Sequence, residues 1–379
     1  YTTRATKALA QLMLEDAGKI QEEDVSYVNK INRRIGLPPR KPLYTKKEAA
    51  KATRIFRPIS YHQKFCIAKN ACATLIDAGH ILGSAVVVLD IKEGERNLRL
   101  GYAVDLGRKN LPLLNDPVIP RGLDYLIIES TYGGREHAPI EEAQSKLREA
   151  ISRTLRRGGK VLIPSFTLER AQEVLYYLSE LLKEKLIPNV PIYVDSPLAT
   201  DITEVFESHP EYMDEKTRQA IERGESPFAF LNLRFIREQR ESKALNADKR
   251  PMIIIAGSGM CESGRILHHL QNNIEDSRNM VLVVGYMARD TLGRRIIDKQ
   301  KIVRIFGIEY ELNAEVVVIN AMSGHADKNE LLRFISGCLP LKRVFLVHGE
   351  EDQALALREA LAPQGIDAYI PSKNEEVIL

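Results

Sequence analysis

The sequence predicts an α/β protein in which a domain with a largely parallel sheet is inserted into a second, metal-binding domain. From Tyr61 to Arg108, and again over residues 123–129, short apolar runs rich in β-branched residues are typical of strands. After Gly134, helical and strand-like segments alternate, and this βαβ rhythm favours parallel strands covered by helices. Residues of metal-binding types lie on both sides of the alternating region of about 135–310, so we expect the flanks to form one domain that the insertion caps.

Each element follows from hydrophobic periodicity and from the turn residues that bound it. The first part is predicted to contain a helix over 4–30, a proline-rich loop over 31–44, a short helix from 46, and the strands KFCIA, ATLIDA, SAVVVLDI, NLRLGYAV and LDYLIIE. The alternating part has predicted helices over 140–157, 168–186 and 263–272, the strands KVLIPSF, VPIYVDSP, RPMIIIAGSG and NMVLVVGY, a charged, helix-rich excursion over 201–249, and antiparallel strands over 302–322. The end is predicted as the loop SGHAD, a helix over 328–337, the strand KRVFLVHG, a helix over 353–362 and the edge strand AYIPS.

The composition is that of a globular protein. Of 379 residues, 28% are charged and 44% are hydrophobic. The 54 basic residues nearly balance the 51 acidic ones, so any polyanion binding must depend on local basic clusters. No apolar run approaches the roughly 18 residues of a membrane span, and no signal peptide is visible. The scattered cysteines Cys66, Cys72, Cys261 and Cys338 form no Cys-x-x-Cys pair, so we interpret them as reduced, mostly buried thiols and expect a cytoplasmic location.

Five acidic or imidazole side chains follow apolar, strand-like runs. They are His80 in AGHILGS, Asp105 in AVDLGR, Glu129 in LIIESTYG, His325 in NAMSGHAD and His348 in FLVHGE. Strand ends that feed short loops can bring ligands distant in sequence to one edge of a sheet. The pattern therefore predicts a metal-dependent hydrolase.

Each of these residues, taken alone, also has a purely structural explanation. A buried histidine such as His80 is often a core residue with satisfied hydrogen bonds, and Asp105 could cap a turn. Glu129 could cap the turn that follows it, although a buried acid also demands a partner such as a histidine. Five coincident placements at strand ends favour a shared site.

A second group of residues has the chemistry of phosphate binding. The glycine-rich turn GSGM at 257–260 precedes a helix, where backbone N–H groups can bind phosphate. Arginines before and after the following strand could line a groove for a polyanion, although a solvated surface explains them equally well. The candidates for RNA or phosphate contact are Ser258, Gly259, Arg265, Arg289, Arg294 and Ser323.

The motifs in order resemble the β-CASP family of metallo-β-lactamase-fold nucleases over essentially the whole chain. AGHILGS is similar to the third metal motif and DLGR to the fourth, while ESTYG, SGHAD and VHGE are similar to β-CASP motifs A, B and C. Further matches are IPSFTLERAQE, IYVDSPLA, AGSGMCESGRILHHL and VGYMARDTLGRR.

The resemblance implies a metallo-β-lactamase αββα sandwich with an inserted β-CASP α/β domain. The expected boundaries are 1–134 for the first part of the metallo-β-lactamase domain, 135–318 for the cap and 319–379 for the return. It also implies two zinc ions in the intact protein, with His80 on one, Asp105 bridging both and His348 on the second. Glu129 would hydrogen-bond His325, which would act on the leaving oxygen or the scissile phosphate.

A histidine in motif C is typical of the branch that acts on RNA, which favours a zinc-dependent ribonuclease over a DNA-acting relative. Single-stranded RNA is the expected partner, a homodimer is a further one, and no membrane is expected.

One part of the family pattern is absent. No His-x-His occurs in the chain, whereas the family has a His-x-His-x-Asp-His motif before the segment YTTRATKALAQLML. We therefore expect the sequence to be truncated at its N-terminus and this fragment to have negligible turnover, because three ligands cannot satisfy two zinc ions. The alternative is a non-catalytic RNA-binding or scaffold paralogue that lacks the motif.

Overall fold

The computed structural model describes residues 1–285, 287–319 and 322–379. Within these ranges, the helices are α1 (Arg4–Arg34), α2 (Lys46–Arg54), α3 (Ile140–Arg156), α4 (Arg170–Lys183), α5 (Pro197–Ser208), α6 (Glu215–Glu222), α7 (Gln239–Ala247), α8 (Arg265–Asn273), α9 (Leu292–Ile297), α10 (Lys328–Gly337) and α11 (Glu351–Leu361). The strands are β1 (Lys64–Ala68), β2 (Ala71–Asp77), β3 (Ala85–Glu93), β4 (Arg96–Ala103), β5 (Tyr125–Glu129), β6 (Val161–Pro164), β7 (Ile192–Asp195), β8 (Leu233–Phe235), β9 (Ile253–Ala256), β10 (Met280–Val283), β11 (Ile302–Ile305), β12 (Ile308–Glu311), β13 (Glu315–Val318), β14 (Arg343–Val347) and β15 (Ala368–Tyr369).

The flanks of the chain share one sheet of seven strands in the order β1-β2-β3-β4-β5-β14-β15. Strands β1 to β4 form an antiparallel meander, and the pairings from β4 through β15 are parallel. Apolar residues of this sheet and of α10 and α11 form one core. This sheet and its core are thus completed by two segments that are far apart in sequence.

The inserted region has its own six-stranded sheet in the order β13-β10-β6-β9-β7-β8. All of its pairings are parallel, which confirms the predicted βαβ arrangement. Four of its strands, β6, β7, β9 and β10, are buried at every position, because helices cover both faces of a parallel sheet. The α/β fold with an inserted second sheet is therefore confirmed.

Two local predictions need correction. The segment 31–44 was predicted as a loop, but α1 continues to Arg34. Strands β11 and β12 form the predicted antiparallel hairpin, whereas β13 pairs in parallel with β10. An apolar run of four residues has no feature that distinguishes a hairpin strand from an edge strand of a neighbouring sheet. Residues 320 and 321, at the end of that predicted strand region, lie outside the described residues.

The prediction of four reduced cysteines is wrong for two of them. Cys66 and Cys72 form a disulfide across the β1–β2 hairpin, whose register sets them opposite each other with Cα atoms 3.8 Å apart. A separation of six residues does not by itself indicate a disulfide. The pairing depends on the tight turn between β1 and β2, which brings the two cysteines opposite each other. Cys261 and Cys338 are free and buried, as predicted.

No helix in the described part of the chain combines the length and the apolar character that crossing a membrane would require.

Truncation of a core residue in β5 should destabilise the domain that carries the candidate metal ligands. Leu126 is 0% exposed on an interior strand of the seven-stranded sheet, so Leu126→Ala removes buried methyl groups and leaves a cavity. We expect the free energy of unfolding, measured by chemical denaturation, to fall by about 2–5 kcal/mol. The same substitution at Leu231, which is 97% exposed, should change it by less than about 0.5 kcal/mol. Equal effects of the two substitutions would contradict this packing.

Candidate metal centre and active site

Four of the five sequence-predicted site residues follow strands of the seven-stranded sheet. His80 lies in the turn after β2, Asp105 follows β4, Glu129 is the last residue of β5, and His348 follows β14. Strands β5 and β14 pair in parallel with Val347 opposite Glu129, so their carboxyl ends meet at one edge. His325 joins them from the loop that precedes α10.

Three of these side chains form a compact group of potential metal ligands. One ligand atom each of His80, Asp105 and His325 lies within 4.8 Å of the others. The rings of His80 and His325 have centroids 4.5 Å apart. His348 stands at the rim of this group, with Nδ1 3.5 Å from Asp105 Oδ1. The structure therefore brings all five residues together, and it sets His325 closer than His348 to the His80–Asp105 pair.

The loops that carry these residues approach each other too closely for larger side chains. A Cβ atom on Gly107 would lie 1.8 Å from the backbone oxygen of Gly79. Gly107 donates its N–H to the carbonyl of Ala78 at 2.8 Å and also forms an isolated antiparallel bridge with His325. Glycine at 107 thus joins the His80 loop, the Asp105 loop and the His325 loop.

The buried Glu129 and the partly exposed His325 form a hydrogen-bonded pair. His325 Nδ1 lies 2.9 Å from Glu129 Oε2, although the two residues are 196 positions apart in sequence. Glu129 is 0% exposed, and its Oε1 also accepts the backbone N–H of Leu106. A buried carboxylate needs such donors to remain charged.

The pair shifts the pKa values of both partners toward the charged forms. Burial by itself would lower the pKa of His325, but the hydrogen bond and the negative charge of Glu129 outweigh it, and the pKa is raised. Burial is the largest single influence on Glu129 and would raise its pKa, but the hydrogen bond and charge of His325, together with the other hydrogen bonds to the carboxylate, outweigh it, and that pKa is lowered. The arrangement favours a protonated imidazole beside a carboxylate, which is the chemistry of a proton donor.

His80 has the environment of a neutral imidazole. Burial, followed by the nearby His325, lowers its pKa. Its Nδ1 lies 3.3 Å from the carbonyl oxygen of Gly324, and an N–H there would leave Nε2 available as a ligand. Metal-binding histidines commonly orient one ring nitrogen through such a bond to a carbonyl. Two imidazoles with a carboxylate form a donor set that fits zinc.

His348 is held by its neighbours on β5 and on the turn that follows it. Thr131 Oγ1 donates to the His348 carbonyl at 3.0 Å, and it lies 3.4 Å from His348 Nδ1. Ser130 Oγ donates to the carbonyl of Val347 at 2.9 Å. His348 adopts a positive φ of 48°, which directs the chain out of the strand and around the site.

The residues predicted to contact phosphate are dispersed. Ser323 is buried beside the site, and its Oγ accepts the His325 N–H at 3.4 Å. Ser258 and Gly259 lie in the loop after β9, where Ser258 Oγ accepts the Glu262 N–H at 3.2 Å. A Cβ on Gly259 would meet the ring of Phe166.

The three predicted arginines also differ in their surroundings. Arg265 begins α8 and forms an ion pair of 2.6 Å with the buried Asp195. The carboxylate of Asp195 therefore partly neutralises the charge of this guanidinium. Arg294 pairs with Asp298 at 3.0 Å, and Arg289 is exposed in a turn.

His137 is a site residue that the sequence did not single out. Its Nε2 lies 3.2 Å from the carbonyl oxygen of His325, and its backbone N–H donates to Asp327 Oδ2 at 3.1 Å. The ring packs edge-on against Tyr132, with centroids 4.5 Å apart. The sequence signal that could have pointed to His137 is its position eight residues after Glu129, in the segment that connects β5 to α3. His137 thus braces the loop that carries His325.

Comparison with known proteins indicates the class of protein that the site suggests, a metal-dependent hydrolase. The Beta-Casp domain model matches residues 171–296, and the model of the Zn-dependent metallo-hydrolase RNA specificity domain matches residues 309–371. Ribonuclease TTHA0252 of Thermus thermophilus is 37% identical over 377 residues, covering 100% of this chain and 81% of that protein. Transcription termination factor FttA of Thermococcus kodakarensis and that of Pyrococcus abyssi are each 33% identical, covering 100% of this chain.

Fold and site together define a metal-dependent hydrolase with an RNA specificity domain. The chain belongs to the β-CASP family of metallo-β-lactamase-fold hydrolases. It spans 57% of the length of the two archaeal relatives.

Substitution of His137 should change how stability depends on pH. Burial, and then the charge of Arg108, lower the pKa of His137 from 6.5 to about 4. Between these values the unfolded chain binds more protons than the folded one, so the free energy of unfolding falls as the pH falls. We expect His137→Gln to flatten this part of the profile, measured by chemical denaturation across the same window. His62→Gln, at an exposed histidine, is the control, and parallel profiles for wild type and His137→Gln would contradict the assignment.

Proposed function

We propose that the protein is a zinc-dependent ribonuclease that hydrolyses phosphodiester bonds of single-stranded RNA. The observation that carries this proposal is the hydrogen-bonded Glu129–His325 pair beside His80, Asp105 and His348. Support for RNA comes from the matched RNA specificity domain and from a relative named as a ribonuclease.

His80, Asp105 and His348 are the side chains that would hold zinc, and Asp105 would be the one able to serve two ions. A carboxylate has two oxygens and can contact two cations, whereas a neutral imidazole offers one lone pair to one ion. When bound, zinc supplies positive charge that polarises the scissile phosphate and acidifies water. Nδ1 of His348 lies 3.5 Å from Oδ1 of Asp105, and this distance supports the proposal that the two side chains would hold the same ion.

The Glu129–His325 pair is proposed to handle the proton. With Nδ1 bonded to Glu129, the imidazole is fixed in orientation and its Nε2 is the nitrogen available to substrate. The raised pKa of His325 keeps a proton there that can pass to the leaving oxygen. Glu129 stabilises the charged imidazole, as a buried carboxylate does in other acid–base pairs.

The remaining polar candidates are proposed to hold the RNA backbone. Ser323 adjoins His325, so it is suited to a phosphate next to the scissile one. The other proposed contacts lie on the inserted domain and are Ser258, Gly259, Arg265, Arg289 and Arg294. Because Arg265 is already paired with Asp195, we propose that it acts through its exposed edge and through the start of α8.

The domain boundaries at 1–134, 135–318 and 319–379 remain our proposal. They are supported by the membership of the two sheets, since β5 ends before 134 and β13 ends at Val318. A homodimer is proposed from the family resemblance, and a cytoplasmic location from the cysteines, of which Cys261 and Cys338 are free.

The most direct test is cleavage of internally labelled and 5′-labelled RNA by the natural full-length protein. We expect His325→Asn to lower kcat by about 10²–10⁴-fold, the usual contribution of a proton-transferring side chain, without weakening RNA binding. His62→Asn is the matched control at an exposed histidine with a positive φ, which asparagine tolerates. The comparison of the two labels separates endonuclease from 5′-exonuclease action. Wild-type turnover in the His325→Asn variant would sink the assigned role.

Zinc content tests the ligand set. We expect the 379-residue chain to retain fewer than two zinc ions after dialysis, because the three proposed ligands are fewer than the roughly eight donors that two four-coordinate ions require. Asp105→Asn should lower the metal content further, whereas Asp24→Asn, on the exposed face of α1, should leave it unchanged. Elemental analysis measures both. A full-length protein that binds no zinc would instead support a non-catalytic scaffold.

A further inference from the structure

A large basic cavity, lined mainly by the inserted domain and also by α1, lies outside the candidate metal centre. It has a volume of about 1470 Å³ and is bounded by α1, α7, α8 and the β11–β12 hairpin. Six cationic side chains line it, namely Lys19, Lys243, Lys249, Arg265, Arg295 and Arg304. The acidic side chains among its described lining residues are Glu23 and Glu262. The walls therefore carry an excess of positive charge that suits a polyanion.

Two of these cations are well placed to meet phosphates. Lys243 lies on α7 and Lys249 follows that helix, and both are exposed. Arg265 and Arg304 are less available, since they form ion pairs with Asp195 and Glu309. The lysines are consequently the side chains whose removal should affect a bound polyanion most.

An aromatic pair stands in the same cavity. The rings of His268 and Phe306 have centroids 4.8 Å apart and an interplanar angle of 36°. Phe306 lies in the turn between β11 and β12 and is 53% exposed, so the ring face that His268 leaves uncovered is open to solvent. Exposed aromatic faces beside cations are the features on which bases of single-stranded nucleic acids stack.

Packed loops connect this cavity to the candidate metal centre. The loop from Gly257 to Gly264 forms part of the cavity wall, and its Gly259 packs on Phe166. The loop that carries Phe166 ends at Glu169, whose Oε2 accepts the N–H of Leu82, two residues after His80. The loop that carries His80 is therefore tied to the cavity wall through Glu169 and Phe166.

We propose that this cavity binds nucleotides of single-stranded RNA that flank the scissile bond. Lys243 and Lys249 contact their phosphates, and Phe306, backed by His268, stacks on a base. The inference rests on the proposed ribonuclease function, which it deepens by giving the site an extended substrate. Occupation of the cavity should lengthen the RNA segment that the protein holds without changing the chemistry at His325.

The test measures RNA binding without turnover, by fluorescence anisotropy of labelled oligouridines in the presence of a chelator. Two lengths are compared, about 5 and about 16 nucleotides, which bracket common single-strand site sizes. We expect Lys243→Glu with Lys249→Glu to weaken binding of the longer RNA at least about tenfold and to leave the shorter one within about twofold. The salt dependence of the longer RNA should flatten by about 1.4 in the logarithmic slope, as expected for two lost phosphate contacts.

The matched control reverses the charge of two lysines that lie outside this cavity. Lys69 and Lys92 are exposed near the β1–β2 hairpin and line a different cavity of about 510 Å³. Lys69→Glu with Lys92→Glu changes the net charge equally, so it should leave binding of both RNAs within about twofold. An equal loss in the control and in the cavity variant would overturn the inference, because it would reflect net charge alone.

Phe306 distinguishes RNA from other polyanions. Phe306→Ala should weaken the longer RNA at least about fivefold, and Phe306→Tyr should restore binding, because a base stacks on either ring. If the lysine variant loses binding but Phe306→Ala does not, the cavity takes an acidic chain without reading bases, and the inference fails. If the full-length enzyme cleaves RNA while both cavity variants bind the longer RNA normally, the inference fails and the ribonuclease proposal stands. If the wild-type chain binds neither RNA, the inference also fails, and the cleavage assay decides the ribonuclease proposal separately.

Discussion

The parallel pairing of β14 with β5 is the constraint on which the site depends. These strands are separated in sequence by the whole inserted domain, yet their register sets Val347 opposite Glu129. The buried carboxylate of Glu129 therefore lies beside the turn that carries His348. A shift of this register by one residue would send every side chain of β14 to the opposite face of the sheet. Burial of Leu126, Leu346 and their neighbours in one core holds the register in place.

Close packing of loops then adds the residues that do not belong to these two strands. Gly107 contacts the His80 loop and pairs with His325, which could not happen if it carried a side chain. His325 in turn gains its fixed orientation from Glu129 and from His137, which contacts its carbonyl. Charge and geometry support each other here, because the carboxylate that fixes the imidazole also raises its pKa. The insertion participates through Glu169, which accepts the Leu82 N–H and so ties the His80 loop to the second domain.

Much of this arrangement could be predicted from the sequence, since its signals are local. Strand ends followed by His80, Asp105, Glu129 and His348 were visible as apolar runs that stop at a polar residue. The parallel sheet followed from continuous buried runs such as IIIA and MVLV, which only a sheet covered on both faces accommodates. His137 was missed because it follows no strand and acts through a backbone carbonyl. The Cys66–Cys72 bond was missed because it depends on a hairpin turn. The pairing of Arg265 with Asp195 was missed because these residues lie on different elements.

The sequence by itself determined the residue types of the site, the two sheet-forming regions and the family to which the chain belongs. These features depend on side-chain chemistry and on periodicities of a few residues, which are written directly in the chain. Only the tertiary structure decided which side chains lie within reach of one another. His325 rather than His348 joins His80 and Asp105 in the tightest group of potential ligands, and His268 meets Phe306 in a basic cavity. Such contacts join residues far apart in sequence, and they arise when burial of the apolar cores fixes strand register and loop approach together.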